Sequence, residues 1–167
     1  MSAAATRTGI GWDSHRLAPD RALILGGVEL VHPDGLGLDG HSDADVLTHA
    51  VIDALLGAAG LGDIGQHFPD TDPTFAGADS LALLRESVTR AAAAGWRPDF
   101  ADTTVVMERP KLKDHRAAMR AHLAAALGVA EADVNIKAST GERIGFVGRE
   151  EGVAALATVT VVRLSAH

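Results

Sequence analysis

An α/β sandwich of the α+β type, with a mixed β-sheet and helices packed on one face, is predicted by three features of the sequence. Segments with strand-like alternation interleave with segments of helical period. A Gly26-Gly27 pair between two short apolar runs marks a hairpin, so the sheet cannot be purely parallel. The run from Val153 to Leu164 is rich in β-branched residues, which suits a strand.

In chain order, Thr8 to Asp13 is the first strand and Ala22 to Leu30 the hairpin. Asp34 to Asp43, rich in Gly and Asp, reads as a loop. A helix follows from Asp43 to about Ala59, with Ser42 as its N-cap and Asp45 completing a capping-box-like pair. Val46, Leu47, Ala50, Val51, Ala54 and Leu55 give it an apolar face. Gly60 to Gly77, with Pro69 and Pro73, is a long loop of the kind that usually carries function. The next helix spans Ser80 to Ala94 and stops at Gly95. Phe100 to Glu108 is a strand whose end Pro110 marks, and about Lys113 to Leu127 is a helix stopped by Gly128. Val134 to Ala138 and Val153 to Leu164 are the last strands. No repeat, charge block or Pro/Ser-rich linker divides the 167 residues, so 1–167 is expected to form one domain.

Fifteen Lys+Arg stand against 22 Asp+Glu, a formal charge of −7. No basic stripe neutralises phosphates, which argues against nucleic acid or an anionic membrane as partner. Met1 to Thr8 is too short and weakly apolar for a signal peptide. The longest uncharged apolar-leaning run, Gly152 to Val162, falls well short of the ~18 residues of a membrane helix. A cytoplasmic location is expected. Cysteine is absent, which excludes disulfides, thiolate nucleophiles and sulfur-ligated zinc. Eight His and the carboxylates remain as metal ligands.

Asp13 and His15, two apart at a strand end, point to the same face. His49 lies on the first helix with Asp53 one turn later, and His41 sits just before that helix. Two imidazoles, one carboxylate and an open fourth position make the ligand set of a catalytic zinc site. Taken singly, Asp13-Ser14-His15 also fits a strand-end turn with a surface histidine, and His49 a satisfied core histidine. The helix N-terminus after Asp39-Gly40-His41-Ser42 offers N–H groups and a positive dipole end to an anion. Lys137-Ala138-Ser139-Thr140-Gly141-Glu142 leaves a strand into a hydroxyl-rich turn with an acid. That turn fits phosphates with Mg²⁺, or simply a polar turn, and it lacks the P-loop order. Arg143 and Arg149 flank Phe146, which fits an anion site or a solvated loop.

In this order, several segments closely resemble the 2-C-methyl-D-erythritol 2,4-cyclodiphosphate synthase family of the non-mevalonate isoprenoid pathway. They are Gly9-Ile10-Gly11-Trp12-Asp13-Ser14-His15, His41 to His49, and Asp53-Ala54-Leu55-Leu56-Gly57-Ala58. Leu61 to Gly65, Phe68-Pro69-Asp70-Thr71-Asp72-Pro73 and Gly77-Ala78-Asp79-Ser80 follow. Pro110-Lys111, Lys137 to Glu142 and Gly145 to Gly152 complete a match over essentially the whole chain. Ala44, Ser139 and Gly141 stand where the family often has Gly, Thr and Thr.

The resemblance implies that Asp13, His15 and His49 ligate one Zn²⁺ per subunit. His41 and Ser42 would contact the substrate's 2-phosphate, with His41 stabilising the transition state. Asp63, Ile64, Gly65, Phe68, Asp70 and Asp72 would line the methylerythritol part. Met107, Lys111, Lys113, Ser139, Thr140, Gly141 and Glu142 would hold the cytidine and its diphosphate. Among these, Glu142 would ligate Mg²⁺ or Mn²⁺ and Thr140 would assist the transition state. Phe146 and Arg149 would complete the site and an axial channel open to an isoprenoid diphosphate. The family forms homotrimers, with each active site shared between neighbouring subunits. Asp53 would orient His49 or a neighbouring ligand.

The implied reaction converts 4-diphosphocytidyl-2-C-methyl-D-erythritol 2-phosphate to the 2,4-cyclodiphosphate with release of CMP, a phosphorus–oxygen lyase step. The competing readings are a metal-dependent phosphohydrolase and a non-catalytic trimer that binds isoprenoid diphosphates. His32, His67, His115, His122 and His167 receive no role.

Overall fold

The longest strand carries glycine on the face that meets the helices. In a computed structural model that describes residues 5–165, β1 (Thr6–Pro19) turns Gly9, Gly11, Asp13 and His15 to one side. The reading of the N-terminal segment therefore falls partly outside the described residues, as does His167. A hairpin of β2 (Leu23–Leu25) and β3 (Val28–Leu30) turns at Gly26-Gly27, both with positive φ. Then come β4 (Leu36–Asp39) and α1 (Val46–Ala59). The short α2 (Ile64–His67) and a single 3₁₀ turn (Pro73–Phe75) lie inside the long loop. The remaining elements are α3 (Ser80–Ala93), β5 (Trp96–Val106), α4 (Arg116–Leu127), a 3₁₀ turn (Glu131–Asp133), β6 (Val134–Ser139), α5 (Gly145–Gly148) and β7 (Gly152–Arg163).

The main sheet runs β4-β1-β7-β5-β6, with β5 and β6 parallel and every other neighbour antiparallel. It is a mixed sheet, as the sequence predicts, but the β2-β3 hairpin that suggested this forms a separate two-stranded sheet. Along one row Asp13 faces Ala155, Ala155 faces Val105, and Val105 faces Ala138. β1 does not end at Asp13, as the sequence suggests, but runs on to Pro19, and the row links mid-strand Asp13 to Ala138, one residue before the end of β6.

Helix α1 is the centre of the core. Every residue except Asp53 and Gly57 is buried, where the sequence pattern suggests only one apolar face. It lies on β1 and β7 with α3 across it, which leaves only the strip at Asp53 and Gly57 to water. Close approach to β1 requires the two glycines. A Cβ on Gly11 would stand 1.9 Å from the Ala50 carbonyl oxygen, and one on Gly9 2.1 Å from that of Ala54. On the opposite face of the sheet Ile10 and Trp12 are 73% and 51% exposed.

Two local expectations fail. Residues 36–39, read as loop, form a fourth strand paired with Arg16 to Pro19 of β1. Its glycine is steric, since a Cβ on Gly37 would stand 2.0 Å from the Arg21 carbonyl oxygen. The first helix begins at Val46 with Asp45 as its N-cap, not at Asp43 with Ser42. Ala44 at φ +57 breaks the helical path before it. The fully buried Asp45 carboxylate accepts from Thr48 N and Oγ1 and from Gly26 N and Gly27 N, at 2.7–3.0 Å. It therefore ties the helix start to the hairpin turn.

Candidate metal centre and adjoining cavities

Strand pairing and helix packing bring Asp13, His15 and His49 together. Asp13 Oδ2 lies 3.0 Å from both His15 Nε2 and His49 Nδ1, and those two nitrogens are 3.3 Å apart. Among the described residues these three form the one group arranged to hold a metal ion. The outer nitrogens are committed elsewhere. His15 Nδ1–H donates to the Asp39 carbonyl at 2.9 Å, which leaves a lone pair on Nε2. His49 Nε2 lies against Ser80 Oγ at 2.8 Å and Ser42 Oγ at 3.0 Å. Nitrogen and carboxylate donors thus converge on one point, half-shielded from water, and the set fits Zn²⁺.

The electrostatics agree. Burial alone would raise the Asp13 carboxyl, but hydrogen bonds from His15 and His49 and their charge outweigh it and hold it at about 2. Burial disfavours charge on His15, yet the Asp13 carboxylate and the Asp39 carbonyl raise it above its ordinary value. Asp53 is shifted upward by burial and then by the charges of Asp63 and Asp13.

A cavity of about 460 Å³ opens on this cluster. Asp13, His15, His41, Ser42, His49, Ile64, Gly65, Phe68 and Asp70 line it, all expected from the sequence. Gly40, Phe75 and Leu83 line it without having been expected. Asp63 and Asp72 cap local turns instead, accepting from Gln66 N and Thr74 N. Asp53 makes no hydrogen bond to His49; its carboxylate accepts from Ile64 N at 2.7 Å and so anchors the cavity wall. The expected anion site at the α1 N-terminus is overturned, because the Asp45 carboxylate occupies that end.

A second cavity of about 300 Å³ lies at the strand end by Val105 and Ala138. Met107, Lys111, Lys113, Ser139 and Thr140, all singled out in the sequence, line it together with Pro110, Leu112 and Arg116. Gly141 N donates to Glu108 at 2.6 Å, and Thr140 Oγ1 donates to Glu142 at 3.1 Å. Glu142 is not part of the Asp13 cluster. Arg109 is gripped by Glu150 and Asp34 at 2.5 and 2.6 Å, which fixes the segment before Pro110. Nothing local in the sequence pairs residues so far apart. Phe146 borders a shallow cleft with His15 and Glu151, and Arg149 pairs with Glu151 at 2.8 Å.

Fold and centre together define a mixed α/β protein with an Asp-His-His group arranged to hold a metal ion, beside a partly apolar cavity of about 460 Å³. The profile of the YgbB family matches residues 6–162, and the chain belongs to that family. It is 55% identical over 159 residues to the 2-C-methyl-D-erythritol 2,4-cyclodiphosphate synthase of Bordetella petrii, covering 95% of this chain and 97% of that protein. It is 59% identical over 160 residues to the bifunctional enzyme IspD/IspF of Anaeromyxobacter dehalogenans, covering 96% of this chain but spanning only 41% of that relative. A solved 2C-methyl-D-erythritol-2,4-cyclodiphosphate synthase in its CDP-bound form superposes with a TM-score of 0.84 at 37% identity, covering 93% of this chain and 99% of that one. The family resemblance seen in the sequence is borne out.

Proposed function

We propose that this chain converts 4-diphosphocytidyl-2-C-methyl-D-erythritol 2-phosphate to 2-C-methyl-D-erythritol 2,4-cyclodiphosphate and CMP. The convergence of Asp13, His15 and His49 on one point beside His41 and Ser42 carries this reading within the YgbB family. A 2-phosphate oxygen attacks the β-phosphorus in line, a new P–O bond closes the ring, and the bond to the CMP phosphate breaks. No protein nucleophile is required, so the chain's task is alignment and charge neutralisation. Zn²⁺ on Asp13, His15 and His49, with Mg²⁺ or Mn²⁺ on Glu142, supplies Lewis-acid stabilisation of the diphosphate when bound. A single carboxylate at Glu142 suits Mg²⁺, which takes its other ligands from phosphate and water.

The Ser42 oxygen accepts from Ala44 N, and its hydroxyl hydrogen is available to the 2-phosphate. His41 stabilises the transition state from the cavity rim. Ile64, Gly65, Phe68, Asp70, Asp63 and Asp72 form or brace the wall around the methylerythritol carbons, which excludes bulk water. Met107, Lys111, Lys113, Ser139, Thr140 and Gly141 hold the cytidine and its phosphates, and Thr140 assists the transition state. The CDP seen on a solved relative supports a nucleotide here.

The two cavities belong to different halves of one catalytic site, each half completed by a neighbouring subunit of a homotrimer. The exposed Ile10 and Trp12 face supports such assembly, because an apolar sheet face favours burial. Phe146 and Arg149 then border the axial channel, where an isoprenoid diphosphate would bind. Residues 1–167 act as one domain. Among the described residues no helix is long and apolar enough to cross a membrane, and we assign the chain to the cytoplasm.

His49→Ala tests the reading. The variant is expected to fold, lose its zinc and lose CMP release together, and full turnover by a zinc-free variant contradicts the site.

A further inference from the structure

The far side of His49 is held by a chain of hydrogen bonds that leads out of the metal centre. Ser80 Oγ, wholly buried at the start of α3, lies 2.8 Å from His49 Nε2. The same hydroxyl donates to Asp43 Oδ1. Asp43 also accepts from Ser80 N at 3.0 Å and Asp45 N at 3.1 Å, so both its oxygens are engaged. A hydroxyl has one hydrogen. With that hydrogen on Asp43, the Ser80 oxygen meets Nε2 as an acceptor, and Nε2 must carry a proton. In a neutral imidazole this leaves Nδ1 bare, and Nδ1 is the atom 3.0 Å from Asp13 Oδ2.

We propose that Asp43 and Ser80 are positioning residues that fix the His49 tautomer, presenting the Nδ1 lone pair to the cation. The proposal rests on the reading of Asp13, His15 and His49 as a metal site. Helix capping does not account for the contact. Asp79 already caps α3 by accepting from Leu81 N, and Asp43 needs only the Ser80 N–H for a second cap. The hydroxyl link to Asp43 gains its purpose from the histidine beyond it. Without Ser80, Nε2 retains only Ser42 Oγ, whose freely rotating hydroxyl can either donate or accept, so neither tautomer is enforced.

Ser80→Ala separates this role from simple packing. Zinc transfer from the loaded protein to a competing chelator reads the affinity. The ¹⁵N shifts of His49, read in chelator-stripped protein carrying Asp13→Ala so that no carboxylate competes for an Nδ1 proton, report the tautomer directly. With Ser80 intact that background is expected to show only the Nε2–H form, and with Ser80→Ala a mixture; where Asp13 is present, Ser80→Ala should weaken zinc retention about 10- to 100-fold. Ser80→Thr, which keeps an Oγ, should restore the single form. If Ser80→Ala does not fold, Asp43→Asn takes its place, with the same direction expected at smaller size. A single Nε2–H form, or zinc retention equal to wild type, in the folded variant overturns the proposal. Wild-type protein that takes up no zinc, while the Asp13→Ala background shows the Nε2–H form, instead overturns the metal reading beneath it.

Discussion

Gly11 and Ala50 meet so closely that the strand and helix leave no room for a side chain between them. A Cβ at Gly11 would stand 1.9 Å from the Ala50 carbonyl oxygen, one residue from His49. The contact sets how far His49 can reach towards Asp13, two residues along β1. Gly11→Ala must push α1 outward, and overpacking of this kind costs about 3 kcal/mol when the neighbour is backbone. Denaturant unfolding is expected to show that loss, with zinc retention falling in the fraction that still folds. Unchanged stability and unchanged zinc would show that the approach is not needed.

The Asp45 carboxylate holds two elements together with four donors. Asp45→Asn keeps its shape but turns an amide NH₂ towards backbone N–H groups, leaving buried donors unpaired. A loss of about 2 kcal/mol or more is expected on chemical unfolding. A change within experimental error would mean that the hairpin and helix do not depend on this bridge.

The metal-free centre has a pH signature of its own. Asp13 is lowered from 3.8 to about 2, so its contribution is present above 3.8 and disappears as pH falls through about 2. His15 is raised above 6.5, so its contribution is full below that value and disappears as pH rises through its higher folded value. Chelator-treated protein should therefore be most stable at mildly acidic pH and lose stability towards alkaline pH. Asp13→Asn should flatten that profile. Zinc runs the other way, because protons compete for His15, and its affinity should fall as pH drops. A thermal midpoint that rises from mildly acidic to alkaline pH in the stripped protein would contradict the coupling.

Arg109 shapes the second cavity from outside, through Glu150 and Asp34. It is partly exposed, and solvent-exposed ion pairs contribute little to stability. Arg109→Ala is expected to leave the unfolding midpoint nearly unchanged while CDP binds several-fold more weakly. Equal CDP affinity in calorimetry would detach Arg109 from the cavity.

The sequence displays the ligands but not what supports them. Asp13 and His15 share a face by simple alternation, and His49 follows from the helix, so the cluster was legible once these elements meet. The start of that helix was misplaced because a left-handed Ala44 leaves no mark in a propensity pattern. Strand β4 was missed because Gly37 reads as a turn residue, whereas it serves a close backbone approach. Ser80 and Asp43 stand 37 residues apart, and only packing of α3 against α1 reveals that they act on one imidazole. Asp53 was the reverse case. One turn from His49 in sequence, it spends its carboxylate on Ile64 N.

The reaction itself is tested most directly by ³¹P NMR of the purified protein with Zn²⁺, Mg²⁺ and 4-diphosphocytidyl-2-C-methyl-D-erythritol 2-phosphate. The expected spectrum gains the two coupled resonances of a cyclic diphosphate and one of CMP in equal amounts, and loses all three from the substrate. Appearance of CDP or inorganic phosphate without the cyclic product would make the centre a phosphohydrolase site and contradict the proposed function.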